Sequence, residues 1–300
     1  MDAETLGKYK KAGDINARAR ALGASLIAPG VGLLEVAEKV EAFIRDQGGA
    51  PAFPCCISID HDAAHDTPAV NDERVFVEGQ VVKLDCGTHI DGFIGDTAIT
   101  VEVGTDRFAE MKRAAQEALD AALRTIKPNG AVEDVSAAVE QVIRSFGFQP
   151  VANLTGHSVD QYHQHAGISI PSVAATAHGK FTPDTAVAIE PFVTDGRGRV
   201  KDSVGGNIYH FMGARPVRDK YARQALDHIK IHHDQLPFAG RWLADVLPPE
   251  RVPQALRFLE RSGAVKQYPV LREIGGGQVT QFEHTMVILE DEIVVTTLDP

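Results

Sequence analysis

Three cysteines in 300 residues leave little scope for a disulfide scaffold, and two of them, Cys55 and Cys56, are adjacent. Neighbouring cysteines rarely reach disulfide geometry, so the chain reads as a reduced, cytoplasmic protein. No apolar run is long enough to span a bilayer, which excludes a membrane partner. The opening residues, Met1-Asp2-Ala3-Glu4-Thr5, are polar and acidic rather than basic then apolar, so no secretory signal is expected. Basic excess is missing too: 30 Lys and Arg face 41 Asp and Glu, a net charge of −11. That argues against nucleic-acid binding, which relies on basic surface. No oligomerisation signal stands out, and the reading is a monomer. What remains is an ordinary globular composition, 44% hydrophobic and 24% charged, with chain enough for a sizeable core.

The first positive feature is a duplication. Ile27, Pro29, Val36, Val40, Glu41, Ile44, Arg45 and Gly48 reappear as Ile126, Pro128, Val135, Val139, Glu140, Ile143, Arg144 and Gly147, at a constant offset of 99 residues. In both copies an alanine-rich helix ends at a Pro/Gly turn, and an amphipathic helix follows and stops at glycine. One ungapped register makes duplication a better account than the general similarity of amphipathic helices. Downstream, Glu78–Asp85 parallels Pro183–Glu190, which makes Asp85 and Glu190 equivalent positions in two halves.

The second feature is a set of five residues able to ligate metal, each at the end or middle of a strand-like run: Asp85, Asp96, His157, Glu190 and Glu283. Four carboxylates cannot be buried together without compensation. Neutralising them would take roughly two divalent cations, and paired metals are a hydrolytic device. Hard oxygen ligands with one imidazole suit Co, Mn, Fe or Zn. Residues 80 to 103 predict a hairpin turning at Asp91-Gly92, a type I′ signal. In that register Gly87 faces Asp96, and Asp85 lies diagonally across from it on the same face, close enough to share metal. Cys86 then points away. Glu283 falls in a strand-like stretch from Val279 to Leu289, where alternation puts His284 on the opposite face as a structural residue.

These segments resemble the pita-bread metallopeptidases, and within them the type II methionine aminopeptidases of archaea and eukaryotes. The resemblance rests on Ala63-Ala64-His65, Leu84–Gly92, Asp96-Thr97-Ala98, Leu154–Ser158, Ile189–Phe192 and Gln281–Thr285. It covers essentially the whole chain. Type II is favoured because 93 residues separate Glu190 from Glu283, where those enzymes carry a small helical insertion. Three short helices are predicted there, broken at Pro237, at Pro248-Pro249 and at Gly263.

The resemblance implies an α+β pita-bread fold: two pseudo-symmetric halves around an antiparallel sheet, with a winged-helix-like insertion. Residues 1–210 and 265–300 would form the catalytic domain and 211–264 the inserted subdomain. It also implies the ligand roles: Asp85 on the second metal, His157 and Glu190 on the first, Asp96 and Glu283 bridging both. His65 and His165 would be active-site histidines that bind substrate without ligating metal, and Phe53 and Tyr268 would contact the methionine side. Glu190 is expected to act as general base, then acid. His165 is expected to donate to the developing oxyanion, and His65 to position the scissile amide. The implied activity is removal of initiator methionine from nascent polypeptide N-termini when the next residue is small, which would place the protein near the ribosome.

Two departures concern side-chain preference. Asp60-His61 replaces asparagines, and Gln164 stands where the family is generally aliphatic; Gln164 is expected to turn toward solvent or His163. The alternatives are a prolidase or Xaa-Pro aminopeptidase of the same fold, or a non-catalytic binding relative. Retention of all five ligands disfavours the last. Prolidases usually carry an additional N-terminal domain, whereas here the first helix of the fold begins near residue 4.

Overall fold

The computed structural model describes residues 1–299. Asp2 caps the first helix, α1 (Ala3–Leu26), by accepting the Thr5 N–H at 2.7 Å. Helix α2 (Leu33–Asp46) buries Leu33, Val36, Ala37, Val40 and Ile44, the stripe that a 3.6-residue period lays along one face. The pair recurs as α3 (Ala109–Thr125) and α4 (Val132–Ser145). The offset of the second helix is again 99 residues. The copies agree in detail. Ile27 and Ile126 end the first helices, Gly30 and Asn129 take left-handed φ of 84° and 60°, and Gly48 and Gly147 follow the second helices at 80° and 84°. Even the acid recurs, buried as Glu41 and half-buried as Glu140. Glu41 accepts the Cys55 N–H and Glu140 accepts the Ala174 N–H, each at 3.0 Å.

Each helix pair covers its own strands. In the first half, β1 (Ala50–Ile59), β3 (Val81–Ile90) and β4 (Phe93–Glu102) form an antiparallel sheet with β3 central, and the short β2 (Asp62–Ala64) follows β1. The β3–β4 hairpin has the expected register, with Ile90 opposite Phe93 and Gly87 opposite Asp96. Asp91 and Gly92 both have positive φ, 51° and 89°, as a type I′ turn demands. In the second half, strands Thr155–Val159, Thr185–Ile189 and His284–Ile288 are the centre of a five-stranded antiparallel sheet. Apolar clusters fill the two halves separately: Leu33, Val40, Ile57 and Leu84 in the first, Leu119, Val139, Phe181 and Met286 in the second.

Between the last two ligand-bearing segments, strand Ile208–Phe211 pairs with Phe238–Ala239 and Val265–Tyr268. Helices α5 (Lys220–His232) and α6 (Val252–Ser262) pack beside it around Tyr209, Leu226, Phe238, Leu243 and Leu256. The helix expected between Pro237 and Pro248 is only a 3-10 segment, Gly240–Asp245. Glycine at its start and Pro248 close behind leave too few residues to propagate an α-helix.

Glu41 ties this segment to the first half. Its carboxylate accepts from the Arg241 guanidinium and, at 2.7 Å, from the Trp242 indole. Arg241 also donates to Thr67 Oγ1 at 2.8 Å and the Pro68 carbonyl at 3.0 Å. Glu41 and Arg241 are 2% and 6% exposed. Glu41→Ala would strand a buried guanidinium, and denaturation is expected to show a loss of about 3–5 kcal/mol, with less for Glu41→Gln. A loss below about 1 kcal/mol, the value of an exposed pair, would refute this joint role.

Candidate metal centre

The two halves meet at a cavity of about 210 Å³, lined by all five expected ligands. β3 supplies Asp85 and β4 supplies Asp96, related by the hairpin diagonal: Asp85 pairs with Ala98, two residues from the Asp96–Gly87 pair. The second-half sheet supplies the others. His157 lies mid-strand in Thr155–Val159, and Glu190 follows Thr185–Ile189 directly, where Pro191 prevents further pairing. His157 Nε2 stands 3.8 Å from Asp96 Oδ2 and 3.7 Å from Glu190 Oε1.

Glu283 arrives differently from expectation. The stretch Val279–Leu289 is two strands, Val279–Gln281 and His284–Ile288, and Glu283 sits in the break between them. There its N–H donates to the Ala98 carbonyl at 3.1 Å, and its own carbonyl accepts from Thr97 Oγ1 at 2.7 Å. β4 thus anchors the break, so the carboxylate is placed by a neighbouring strand and not by alternation within its own. His284 is structural, its Nδ1 3.0 Å from Thr297 Oγ1.

The residues fit divalent cations. Asp96, His157 and Glu283 each bring one donor atom within 4.8 Å of the other two. Asp85 Oδ1, Asp96 Oδ1 and Glu283 Oε2 are buried with no hydrogen-bond partner among the described residues. Unpaired buried carboxylate oxygens are costly, and a cation is the partner that removes the cost. Without one, proton affinities respond. Burial pushes the Asp85 carboxyl up to about 7, opposed by a hydrogen bond from Gln281. Asp96, Glu190 and Glu283 are raised well above the usual range, by burial first and then by one another's charge and that of Asp85. Burial and the nearby His165 bring His157 down to about 3, so it is a neutral imidazole ready to ligate.

These shifts give a signed expectation for the metal-free protein. The histidines lowered in the fold act the other way until about pH 7.5; above that they are neutral in folded and unfolded chains alike, and the carboxyls set the slope. Their raised folded pKa values stabilise the fold fully only below the unfolded carboxylate range, and that stability is lost as pH rises through the folded values. Lys83, buried and lowered to about 7, acts in the opposite direction, but it is one group against four. The Tm of chelator-treated protein is therefore expected to fall between about pH 7.5 and 9, and saturating Mn²⁺ is expected to remove the slope. A Tm that rises over that window without metal would contradict the assignment.

Other expected residues gather around the same cavity. Phe53 on β1 is buried against Gly87, where an added Cβ would meet the ring at 2.3 Å. His65 takes a positive φ of 65°, a strained conformation for histidine, and its ring lies edge-on to Tyr268 at 5.7 Å. Burial, then His165, lowers the His65 pKa to about 4. His165 stands at the open side of the cavity, 4.5 Å between ring centroids from His157.

Gln164 is half-buried: it lines the cavity, and its side chain opposes the upward shift of the Asp96 carboxyl. An amide donor beside crowded carboxylates gains more there than in water. Asp60-His61 does not reach the cavity. It forms the turn between β1 and β2, where Asp60 has φ of 55° and accepts the Val81 N–H at 2.9 Å. A residue not singled out beforehand is Gln281, whose amide donates to Glu190 Oε2 at 3.1 Å and to Asp85 Oδ2 at 3.5 Å. Its place two residues before Glu283 was the available signal. Cys56, opposite Asp85 in the β1–β3 register, also lines the cavity.

Comparison with known proteins agrees with this geometry. The profile described as metallopeptidase family M24 matches residues 7–296. The methionine aminopeptidase of Pyrococcus horikoshii is 46% identical over 291 residues, covering 97% of this chain and 98% of that protein. That of Methanocaldococcus jannaschii is 44% identical over 297 residues, covering 99% and 100%. Among solved structures, the methionine aminopeptidase of Thermotoga maritima superposes with a TM-score of 0.73 at 23% identity, covering 99% of this chain and 98% of that one. A prolidase from Pyrococcus furiosus gives 0.65 at 17% identity, covering 99% and 64%. At those identities the likeness is one of fold, the pita-bread arrangement of two halves around antiparallel sheets. The sequence matches run from end to end and the cavity keeps every donor, so the chain belongs to metallopeptidase family M24.

Proposed function

We propose that the chain is a metal-dependent aminopeptidase that removes the initiator methionine from proteins whose second residue is small. The observation that carries this reading is the five-donor centre opening into a small cavity walled by Phe53 and Tyr268. A thioether side chain suits an aromatic wall. The full-length identity to archaeal methionine aminopeptidases supports it.

In this reading the five donors would hold two divalent ions, of Co, Mn, Fe or Zn: Asp85 would serve one, His157 and Glu190 the other, and Asp96 and Glu283 both. Bound there, they would lower the pKa of water and polarise the scissile carbonyl. Glu190 takes the proton of the attacking water and passes it to the leaving amine. Its buried carboxyl, already high in proton affinity, suits that exchange. Gln281 holds Glu190 Oε2, leaving Oε1 on the His157 side. His165 donates to the oxyanion, and His65, fixed by its strained backbone, orients the scissile amide.

Residues 211–264 form an inserted subdomain that walls the cavity, and residues 1–210 and 265–300 form the catalytic domain. The substrates are nascent chains, so we place the protein in the cytoplasm near the ribosome, acting as a monomer. No described helix is long and apolar enough to cross a membrane.

The test is hydrolysis of Met-Ala-Ser against an Xaa-Pro peptide by metal-loaded protein. Release of methionine from the first alone is expected. Cleavage of the Xaa-Pro peptide instead would favour a prolidase, and cleavage of neither would favour a non-catalytic role.

A further inference from the structure

Away from the carboxylate centre, three histidines converge where α5 ends. His228 and His232 lie one turn apart on the helix, with ring centroids 4.4 Å apart. His233, the first residue beyond it, brings its ring to 5.6 Å from that of His228 and 6.4 Å from that of His232. The three rings border a cleft of about 680 Å³ between α5 and the first half, with His89, Glu38 and Asp245 on its other walls.

Residues four apart on a helix share a face, and two histidines so spaced can chelate one ion. His232 in the last turn has a simpler use, since a cation there opposes the helix dipole. That use accounts for neither the pairing with His228 nor the placement of His233. The His233 ring stacks on Phe238 at 5.2 Å and leans on Trp242 at 5.4 Å, so packing holds its direction. Three protonated imidazoles would repel one another in this space. Burial, then His228, His232 and Arg45, lowers the His233 pKa to about 4, which keeps it neutral at ordinary pH. His228 is lowered by burial and then by His232, while Asp245 pulls it back up, so that carboxylate is near enough to act on the pair. Two imidazoles on one helix face make a donor pair of borderline softness, suited to Zn, Ni or Cu.

We propose that His228 and His232, one helical turn apart with their rings 4.4 Å from each other, form a two-imidazole binding site for a divalent transition-metal ion, separate from the carboxylate centre. The position has a consequence for the catalytic cavity. Only Asp234, Gln235 and Leu236 separate His233 from Pro237, which lines that cavity. An ion on the histidines would pin the C-terminal end of α5 and with it this stretch of wall.

The test is equilibrium dialysis of metal-free protein against Zn²⁺, with bound metal counted by mass spectrometry. Wild type is expected to hold one equivalent more than His228→Ala/His232→Ala, with unchanged circular dichroism. Equal stoichiometry would overturn the proposal. Asp96→Ala separates this site from the other: the peripheral equivalent should persist there, and its disappearance would mean that the extra metal belonged to the carboxylate centre. A reading that does not depend on the double variant uses Cu²⁺ bound to Asp96→Ala protein. Its electron paramagnetic resonance spectrum should show coupling to at least two imidazole nitrogens, and coupling to one or none would also overturn the proposal.

Discussion

Replacing Glu190 with glutamine is expected to lower turnover of Met-Ala-Ser about 10²- to 10⁴-fold, the usual contribution of a positioned acid–base group. The substitution preserves shape and one oxygen, and Gln281, which donates to Glu190 Oε2 in the wild type, still has an oxygen to meet. What changes is the capacity to accept and return a proton. KM should move little, since a loss confined to the transition state lowers kcat and kcat/KM together. The measurement must be made on metal-loaded protein, with metal content determined in parallel. Turnover close to wild type in a fully loaded Glu190→Gln protein would remove Glu190 from the proton-transfer role. Full turnover loss with equal loss of metal would make it a ligand alone.

Asp96→Ala and Glu283→Ala are expected to abolish activity and tight metal binding at the carboxylate centre together, with Asp85→Ala less damaging to metal content there. Asp96 and Glu283 are 2% and 1% exposed, and each has an oxygen with no hydrogen-bond partner among the described residues. Asp85 shares its other oxygen with Gln281, so it is partly satisfied without an ion. The same variants should affect stability with the opposite sign. Removing one of four crowded carboxylates relieves repulsion in the metal-free fold, so its Tm should hold or rise, while the increase in Tm on adding Mn²⁺ shrinks. Chelation of the wild type should likewise abolish hydrolysis. An Asp96→Ala protein that retains two tightly bound metals at that centre, counted after dialysis and beyond any held by His228 and His232, would refute the shared-ligand assignment.

The parts of the site that were legible in the sequence are those set by local rules. Asp91-Gly92 fixes a two-residue turn, and that turn fixes the register that places Asp85 diagonal to Asp96. The repeated helix pair likewise depends on near-neighbour pattern and caps, so an offset found in the letters reappears in the helix ends and in the roles of Glu41 and Glu140. Less was legible where a distant strand decides. Glu283 turns out of its strand because the Ala98 carbonyl and the Thr97 hydroxyl of β4 bond its backbone, and alternation along residues 279–289 carries no trace of those partners. Gln164 lines the cavity beside Asp96 because a concentration of buried negative charge attracts an amide donor, and that charge is assembled from four separate segments.

The sequence by itself determined which residue types could build the centre, that two halves would share it, and where the hairpin turns. Each follows from periodicity, turn chemistry and the cost of burying charge, which act over a few residues or follow from composition. Only the tertiary structure decided that the five donors surround one cavity, that Gln281 holds two of the carboxylates, and that Asp60-His61 stands away from it. It also decided that Glu41 on α2 meets Arg241 and Trp242, joining residues 200 and 201 positions apart. Such contacts depend on how the sheets and helices dock, and docking is a property of complementary surfaces formed by the whole chain.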